Sequence, residues 1–426
     1  MGTIRRNPYE TRIVVTGLGT INPLGNTVRE FWDNLKIGKT GIRLSQRYAK
    51  ELENFPVKIA GEVDYPANIT DYIQKKMLNR FGRYAIFAHV AATQAYRDTG
   101  ITKEEVEIDP TRYGAIIGTG EAGLGMHWDA FINMREYGLD HTSPFYVVGV
   151  IPNTPPGYFA KENNFQGPNF SVNSACASSN HAIGNAAMMI RMGMADVMMA
   201  GGTEAVVILP GFSGFNAIFA LSRRSDSPET ASRPFDKDRD GFVLAEGSGI
   251  ICLEELEHAK KRGAKIYAEL KGFGFSCDAY DLVAPHPDGK GGAGAILNAL
   301  EDAQIDKSQV ELINAHGTST QLGDLTESRG INRVFGEKTM DVMVQSTKSM
   351  TGHLIGAAGG IEAIATIMAF EEGVIHPSVN VFEQDPEIHL NVVKNRAIEK
   401  KIKVALSNSF GFGGQNSSIV LTRYEG

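Results

Sequence analysis

The sequence predicts an α/β fold with two related halves, on three observations. Short apolar runs alternate with Ala- and Met-rich helical stretches along the whole chain. Several runs are continuously apolar, the pattern of strands covered on both faces, and helices covering such a sheet define the α/β class. A small-residue segment also recurs. His181-Ala-Ile-Gly-Asn-Ala-Ala laid beside His353-Leu-Ile-Gly-Ala-Ala-Gly matches His, Ile, Gly and one Ala, and this register puts Cys176 opposite Lys348. Each segment follows an apolar strand and a Ser-rich turn and opens a helix, so we read an ancient duplication with both helices packed centrally.

The strands are expected at 12–16, 115–118, 170–173, 197–200, 249–253, 266–270, 312–315, 342–344, 404–406 and 418–421. The charged stretch 254–265 reads as a helix and connector. It divides the chain into a tail (1–10), a first half (11–264) and a second half (265–426). At 426 residues, 42% hydrophobic and 21% charged, the chain is ordinary globular material. A net charge of −7 without a long basic run argues against nucleic acid as partner. The spacing of Cys176, Cys252 and Cys277 suits neither a zinc site nor a disulfide framework. No apolar stretch approaches the roughly 18 residues of a membrane span, and the polar opening is no signal peptide. The expected compartment is the reducing cytoplasm.

Four segments carry candidate chemistry. In Val172-Asn-Ser-Ala-Cys176-Ala-Ser-Ser a strand ends, a small-residue turn follows and a helix begins at the cysteine. A helix start stabilises negative charge, so the thiol pKa is expected to fall and the thiolate nucleophile to be favoured. Leu312-Ile-Asn-Ala-His316-Gly-Thr-Ser-Thr places a histidine at a buried strand end, where ligands collect in α/β sheets. Ser346-Thr-Lys348-Ser-Met-Thr-Gly-His353 and the following Glu362 put three ionisable groups in a Gly-rich apolar segment, where charges need partners. Ser407-Asn-Ser-Phe410-Gly-Phe412-Gly-Gly makes a tight turn whose amides can converge while its rings gate access. Cys252 and Cys277 read as structural.

In this order the four segments resemble the β-ketoacyl-acyl-carrier-protein synthases, specifically the elongating, synthase II-like kind. The likeness extends to Arg12-Ile-Val-Val-Thr-Gly-Leu-Gly near the start and Arg233-Pro-Phe-Asp-Lys-Asp-Arg-Asp-Gly-Phe-Val in the middle. It implies the thiolase-like fold, two similar α/β halves in a five-layered αβαβα arrangement, and a homodimer formed through the strand before the nucleophile. A heterodimer with a ketosynthase-like subunit is the variant. It also implies decarboxylative Claisen condensation of a Cys176-bound acyl chain with malonyl-[acyl-carrier protein], in type II fatty-acid or specialised polyketide or polyene synthesis. In that chemistry the amides of Cys176 and Phe412 form the oxyanion hole, and His316 and His353 bind the malonyl carbonyl. Lys348 and Glu362 support them, and Phe410 and Phe412 gate the acyl pocket. No metal or dissociable cofactor is implied, because the substrates arrive on the carrier's phosphopantetheine arm. A thiolase would use one His and a second Cys, and a chain-length-factor subunit would lack the nucleophile.

Three positions depart from the family pattern. Glu121 stands on a loop bordering the acyl pocket where an apolar residue is usual, Gln321 replaces a common Pro, and Gln415 replaces a common Thr. Together they point away from ordinary fatty-acid elongation, toward short, polar or unsaturated chains. Lys75, Lys76 and Arg80 form a basic patch suited to docking an acidic carrier protein.

Overall fold

The computed structural model describes residues 7, 8 and 10–426. Most of the tail expected at 1–10 therefore lies outside the described residues. One sheet runs through the molecule, built from β1 (Ile13–Ile21), β2 (Tyr113–Gly118), β3 (Asn169–Val172), β4 (Val197–Glu204), β5 (Gly247–Glu255), β6 (Ala268–Cys277), β7 (Leu312–Asn314), β8 (Met343–Gln345), β9 (Asn391–Val392), β10 (Val404–Gly411) and β11 (Gln415–Arg423). Its order is β9-β8-β7-β10-β11-β6-β1-β5-β4-β2-β3. All ten expected strands are present, several of them longer at one end. The two-residue β9 was not expected; it is too short to carry a hydrophobic pattern.

The topology repeats. Strands β1–β5 are ordered third-second-fourth-fifth-first, and β6, β7, β8, β10 and β11 follow the same order. In each set the second strand runs parallel to the third and fourth, and the fifth runs antiparallel to the fourth and first. The sets meet where Ile13, Val14 and Val15 of β1 pair with Leu270, Glu269 and Ala268 of β6.

Five layers result. Helix α1 (Arg83–Thr99) covers β1, β4 and β5 from outside. Helices α2 (Ser178–Arg191) and α5 (Ala358–Glu372) lie centrally and touch strands of both sets. Helix α3 (Lys290–Ala303) covers β6 and β11, with α4 (Gln321–Phe335) beside it. The central helices bury Ile183, Ala187, Ile361 and Ile364 completely. None of the helices is long and apolar enough to cross a membrane, among the described residues.

Close approach of helix and strand demands glycine at matching places in the two sets. A Cβ on Gly19 of β1 would sit 2.0 Å from the Ala91 carbonyl oxygen of α1, and one on Gly274 of β6 would sit 2.2 Å from the Ala295 oxygen of α3.

The structure supports the duplication but corrects its register. Ala175–Ala177 forms a single tight turn leading into α2, and Ile355–Ala357 forms the same turn leading into α5. Ala175 and Ile355 share a left-handed backbone, φ 48° and 46°. Cys176 therefore corresponds to Gly356 and not to Lys348. His353 precedes its helix, paired to Leu244 in an isolated bridge, whereas His181 lies inside α2. The Gly-Ala similarity of two helix starts drew the sequence match eight positions out of register.

Gly274→Val should lower stability by about 2 kcal/mol through overpacking against α3, read as a shifted denaturant midpoint. An unchanged midpoint would contradict this close approach.

Candidate active site

The nucleophile candidate stands on a strained turn. Ser174 is extended, Ala175 takes the left-handed conformation, and Cys176 begins the turn into α2. Such strain in a residue with a Cβ persists only where packing enforces it. Two contacts do so here: Ser178 Oγ accepts from the Ser174 amide at 2.9 Å, and His181 Nδ1 lies 2.7 Å from Ser174 Oγ. The turn projects the Cys176 sulfur toward β7 and β10.

Strand ends bring the partners. His316 follows β7, and its backbone N–H donates to Glu327 Oε1 at 2.8 Å, while the Gly317 N–H donates to Oε2 at 2.7 Å. His353 leaves the short helix Lys348–Thr351, and its N–H donates to the Val243 carbonyl at 2.8 Å. Its Nε2 then lies 3.0 Å from Cys176 Sγ. The imidazoles of His316 and His353 meet edge to face, centroids 5.4 Å apart. One ligand atom from each of the three side chains falls within 4.8 Å of the others, a spacing that would also admit a metal ion.

Desolvation sets the charges. All three side chains are buried, with exposures of 5%, 8% and 1% for Cys176, His316 and His353. Burial holds both imidazoles well below the usual histidine range, helped by the nearby Lys348 ammonium, so both are neutral. Their Nδ1 atoms have no hydrogen-bond partner among the described residues, so no acceptor there retains a proton. Each Nε2 is left to carry it toward the cavity. For Cys176 the sequence expectation fails. Burial pushes the thiol up to about 12, although Lys348 and the N–H groups of Phe412 and Cys176 itself oppose the shift. A one-turn helix start is a weaker field than complete desolvation, and the resting sulfur is a thiol.

Lys348 and Glu362 are fully buried and paired to each other. Glu362 sits in α5 and Lys348 in the preceding short helix, so the pair ties the two together. Burial raises the Glu362 carboxyl and Lys348 draws it back.

Phe412 follows β10 in the turn Phe412–Gly414, and its N–H points at the Cys176 sulfur. A Cβ on Gly411 would lie 3.2 Å from the Cys176 nitrogen, so glycine is needed to let the two amides converge. The Phe410 ring stands 5.8 Å from His316. These groups line a cavity of about 350 Å³ that also includes Phe215, Phe242, Ile355, Thr318 and Thr320. Gln321 lines it as well.

Other expected positions fall outside the cavity. Glu121 is exposed on the surface of the chain, and its side chain does not line this cavity. Gln415 is exposed at the start of β11. Lys75 and Lys76 are exposed on the turn Lys75–Met77, and Arg80 stacks its guanidinium 4.5 Å from the Phe145 ring. Two important carboxylates escaped the sequence reading. Besides Glu327, fully buried Asp324 accepts from the Ser319 and Phe235 amides and fixes the turn after His316. Two acids three apart in the first turn of α4 look like ordinary helix-start acids; only their proximity to the His-Gly-Thr-Ser-Thr run distinguishes them.

The comparisons with known proteins agree with this geometry. The model of the β-ketoacyl synthase N-terminal domain matches residues 10–259, and that of its C-terminal domain matches 267–382. The chain belongs to the β-ketoacyl synthase family. A relative in Synechocystis, 3-oxoacyl-[acyl-carrier-protein] synthase 2, is 43% identical over 98% of this chain and 100% of its own. The chloroplastic 3-oxoacyl-[acyl-carrier-protein] synthase II of Arabidopsis thaliana is 42% identical over 98% of this chain and 76% of its own. Among solved structures, a type II polyketide ketosynthase in complex with its acyl-carrier protein superposes with a TM-score of 0.90 at 35% identity, covering 97% of this chain and 100% of that one. The ishigamide ketosynthase/chain length factor gives 0.90 at 34%, covering 99% and 100%. This β-ketoacyl synthase accordingly has the thiolase-like fold of those ketosynthases.

Lys348→Met should destabilise the protein by about 3–5 kcal/mol by leaving Glu362 buried and unpaired, and adding Glu362→Leu should recover most of the loss. Urea titration measures both; equal stability of the single variant and wild type would contradict the pairing.

Proposed function

We propose that this enzyme joins a Cys176-bound acyl chain to a malonyl unit carried on acyl-carrier protein, with loss of CO2. The observation that supports this best is the Cys176 sulfur 3.0 Å from His353 Nε2, in a buried cavity that also holds neutral His316. In the first step the Cys176 sulfur attacks the carrier thioester. The C–S bond to the carrier breaks, and the thiol proton leaves with the pantetheine sulfur. The N–H groups of Cys176 and Phe412 hold the oxyanion, each such donor contributing about 3 kcal/mol. In the second step malonyl thioester binds with its carbonyl oxygen toward the two Nε2–H donors. Its C–C bond breaks, CO2 departs, and the electron pair rests on that oxygen as an enolate. The enolate carbon attacks the acyl-cysteine, forming the new bond and expelling the Cys176 sulfur. Neutral imidazoles suit this role because they donate without holding a charge of their own in the apolar cavity.

The remaining expectations belong to the same proposal. The halves divide at 264/265, an assignment supported by the repeated strand order. β3 lies at the sheet edge with one side unpaired, which suits dimer formation by strand pairing, with a second copy or with a ketosynthase-like subunit. Lys75, Lys76 and Arg80 steer the acidic carrier protein, and the enzyme works in the cytoplasm without a dissociable cofactor. Glu121, with Gln321 at the cavity, adapts it to short, polar or unsaturated chains.

With acyl- and malonyl-carrier substrates, Cys176→Ala should abolish the β-ketoacyl product, and His353→Ala should lower CO2 release by about 10²-fold or more. Product formation by Cys176→Ala would reject the proposal. Activity should survive EDTA, whereas loss restored by a metal would assign the Cys176, His316 and His353 cluster to an ion. Charge reversal at Lys75 and Lys76 should raise the carrier KM and leave kcat unchanged; an unaltered KM would remove the patch from docking.

A further inference from the structure

Behind Cys176 lies a buried carboxylate that the mechanism does not use. Glu204 ends β4 with no exposed surface. Its Oε2 accepts from the Gly120 N–H at 2.7 Å and from the Gly356 N–H at 3.0 Å. Its Oε1 accepts from the Glu121 N–H at 3.2 Å and the Thr119 hydroxyl at 3.3 Å. One carboxylate thus joins the end of β4, the loop after β2, and the turn before α5.

Both joined segments are strained at residues that carry a Cβ. Ala122, whose N–H donates to Thr119 Oγ1 at 3.1 Å, has φ 48°, and Ile355 has φ 46°. They also touch. A Cβ on Gly120 would lie 2.8 Å from Ile355 Cγ2, and one on Gly356 only 2.3 Å from the Gly120 nitrogen. Ile355 in turn lines the cavity that holds Cys176 and both imidazoles. The loop of residues 119–121 also anchors the strand before the nucleophile, since Asn173 Nδ2 donates to the Gly120 carbonyl at 2.7 Å. Strain of this kind persists where surrounding contacts over-determine it, and four donors on one carboxylate supply such contacts.

We propose that Glu204 is a positioning residue that clamps the 119–121 loop to the Ile355–Gly356 turn, and thereby fixes the cavity wall that receives the acyl chain. The inference rests on the condensing-enzyme reading for its substrate. The clamp needs both oxygens. A glutamine in its place keeps one acceptor for Gly120 and Gly356, and turns its NH2 group against the Glu121 N–H, donor facing donor. The carboxylate also acts on the thiol electrostatically. Cys176 is faced by His316, His353, Lys348 and Glu204, and of these Glu204 raises its pKa. Glu204 itself is faced by Glu121, and burial brings its carboxyl up to about 7, so above that pH it is charged.

The test is Glu204→Gln with three measurements. Amide exchange at residues 119–122 should accelerate. Iodoacetamide should alkylate Cys176 faster than in wild type at pH 8.5, where wild-type Glu204 is ionised and the glutamine carries no charge. Transfer of acyl groups from carrier protein to Cys176 should fall on the order of tenfold and lose its dependence on chain length. Should the glutamine variant not fold, Thr119→Val removes one of the four contacts and should shift each readout the same way by less. Unchanged exchange, alkylation and chain-length profile in a folded variant would overturn the proposal. If wild-type protein accepts no acyl group at all, the condensing-enzyme reading fails, while exchange and alkylation still decide the clamp.

Discussion

A lysine ammonium with 1% of its side chain exposed cannot stand alone, and Glu362 is its counter-ion. The remainder of the site takes its electrical character from that buried cation. Lys348 opposes protonation of His316 and His353, which burial already disfavours, so two imidazoles share one cavity without charge. It draws the Cys176 thiol down against a much larger desolvation effect. It also draws down the buried carboxyl of Glu327, whose two oxygens hold the loop of His316. Removing one charge from such a set would alter every other member.

The fold brings these groups together through duplicated architecture put to unequal use. Two left-handed turns, at Ala175 and Ile355, lead into the two central helices. One presents a sulfur, and its counterpart presents a glycine amide to a carboxylate. The strand ends β7 and β10 add His316 and Phe412 from the second set, so the cavity lies where the two sets face each other.

Much of this was legible in the sequence. Continuous apolar runs marked ten of eleven strands because burial on both faces leaves no alternation to misread. Cys176, His316, His353 and Phe412 were legible because small residues and strand ends frame each of them. What stayed hidden depends on distance through space. The thiol's raised pKa follows from complete burial, which a helix start does not reveal. The repeat register was displaced because Gly and Ala match easily, whereas the true register is marked by backbone angles at Ala175 and Ile355. Glu327, Asp324 and Glu204 resemble ordinary acids until the amides they bind are seen. Glu121, placed by resemblance at the acyl pocket, faces outward on the isolated chain.

Intact-protein mass spectrometry after mixing with acyl-carrier thioesters tests the account most directly. One acyl group should appear on the chain, map to Cys176, and disappear when malonyl-carrier is added and CO2 is evolved. An unmodified chain, or an acyl group carried by Cys277 with Cys176 free, would contradict it.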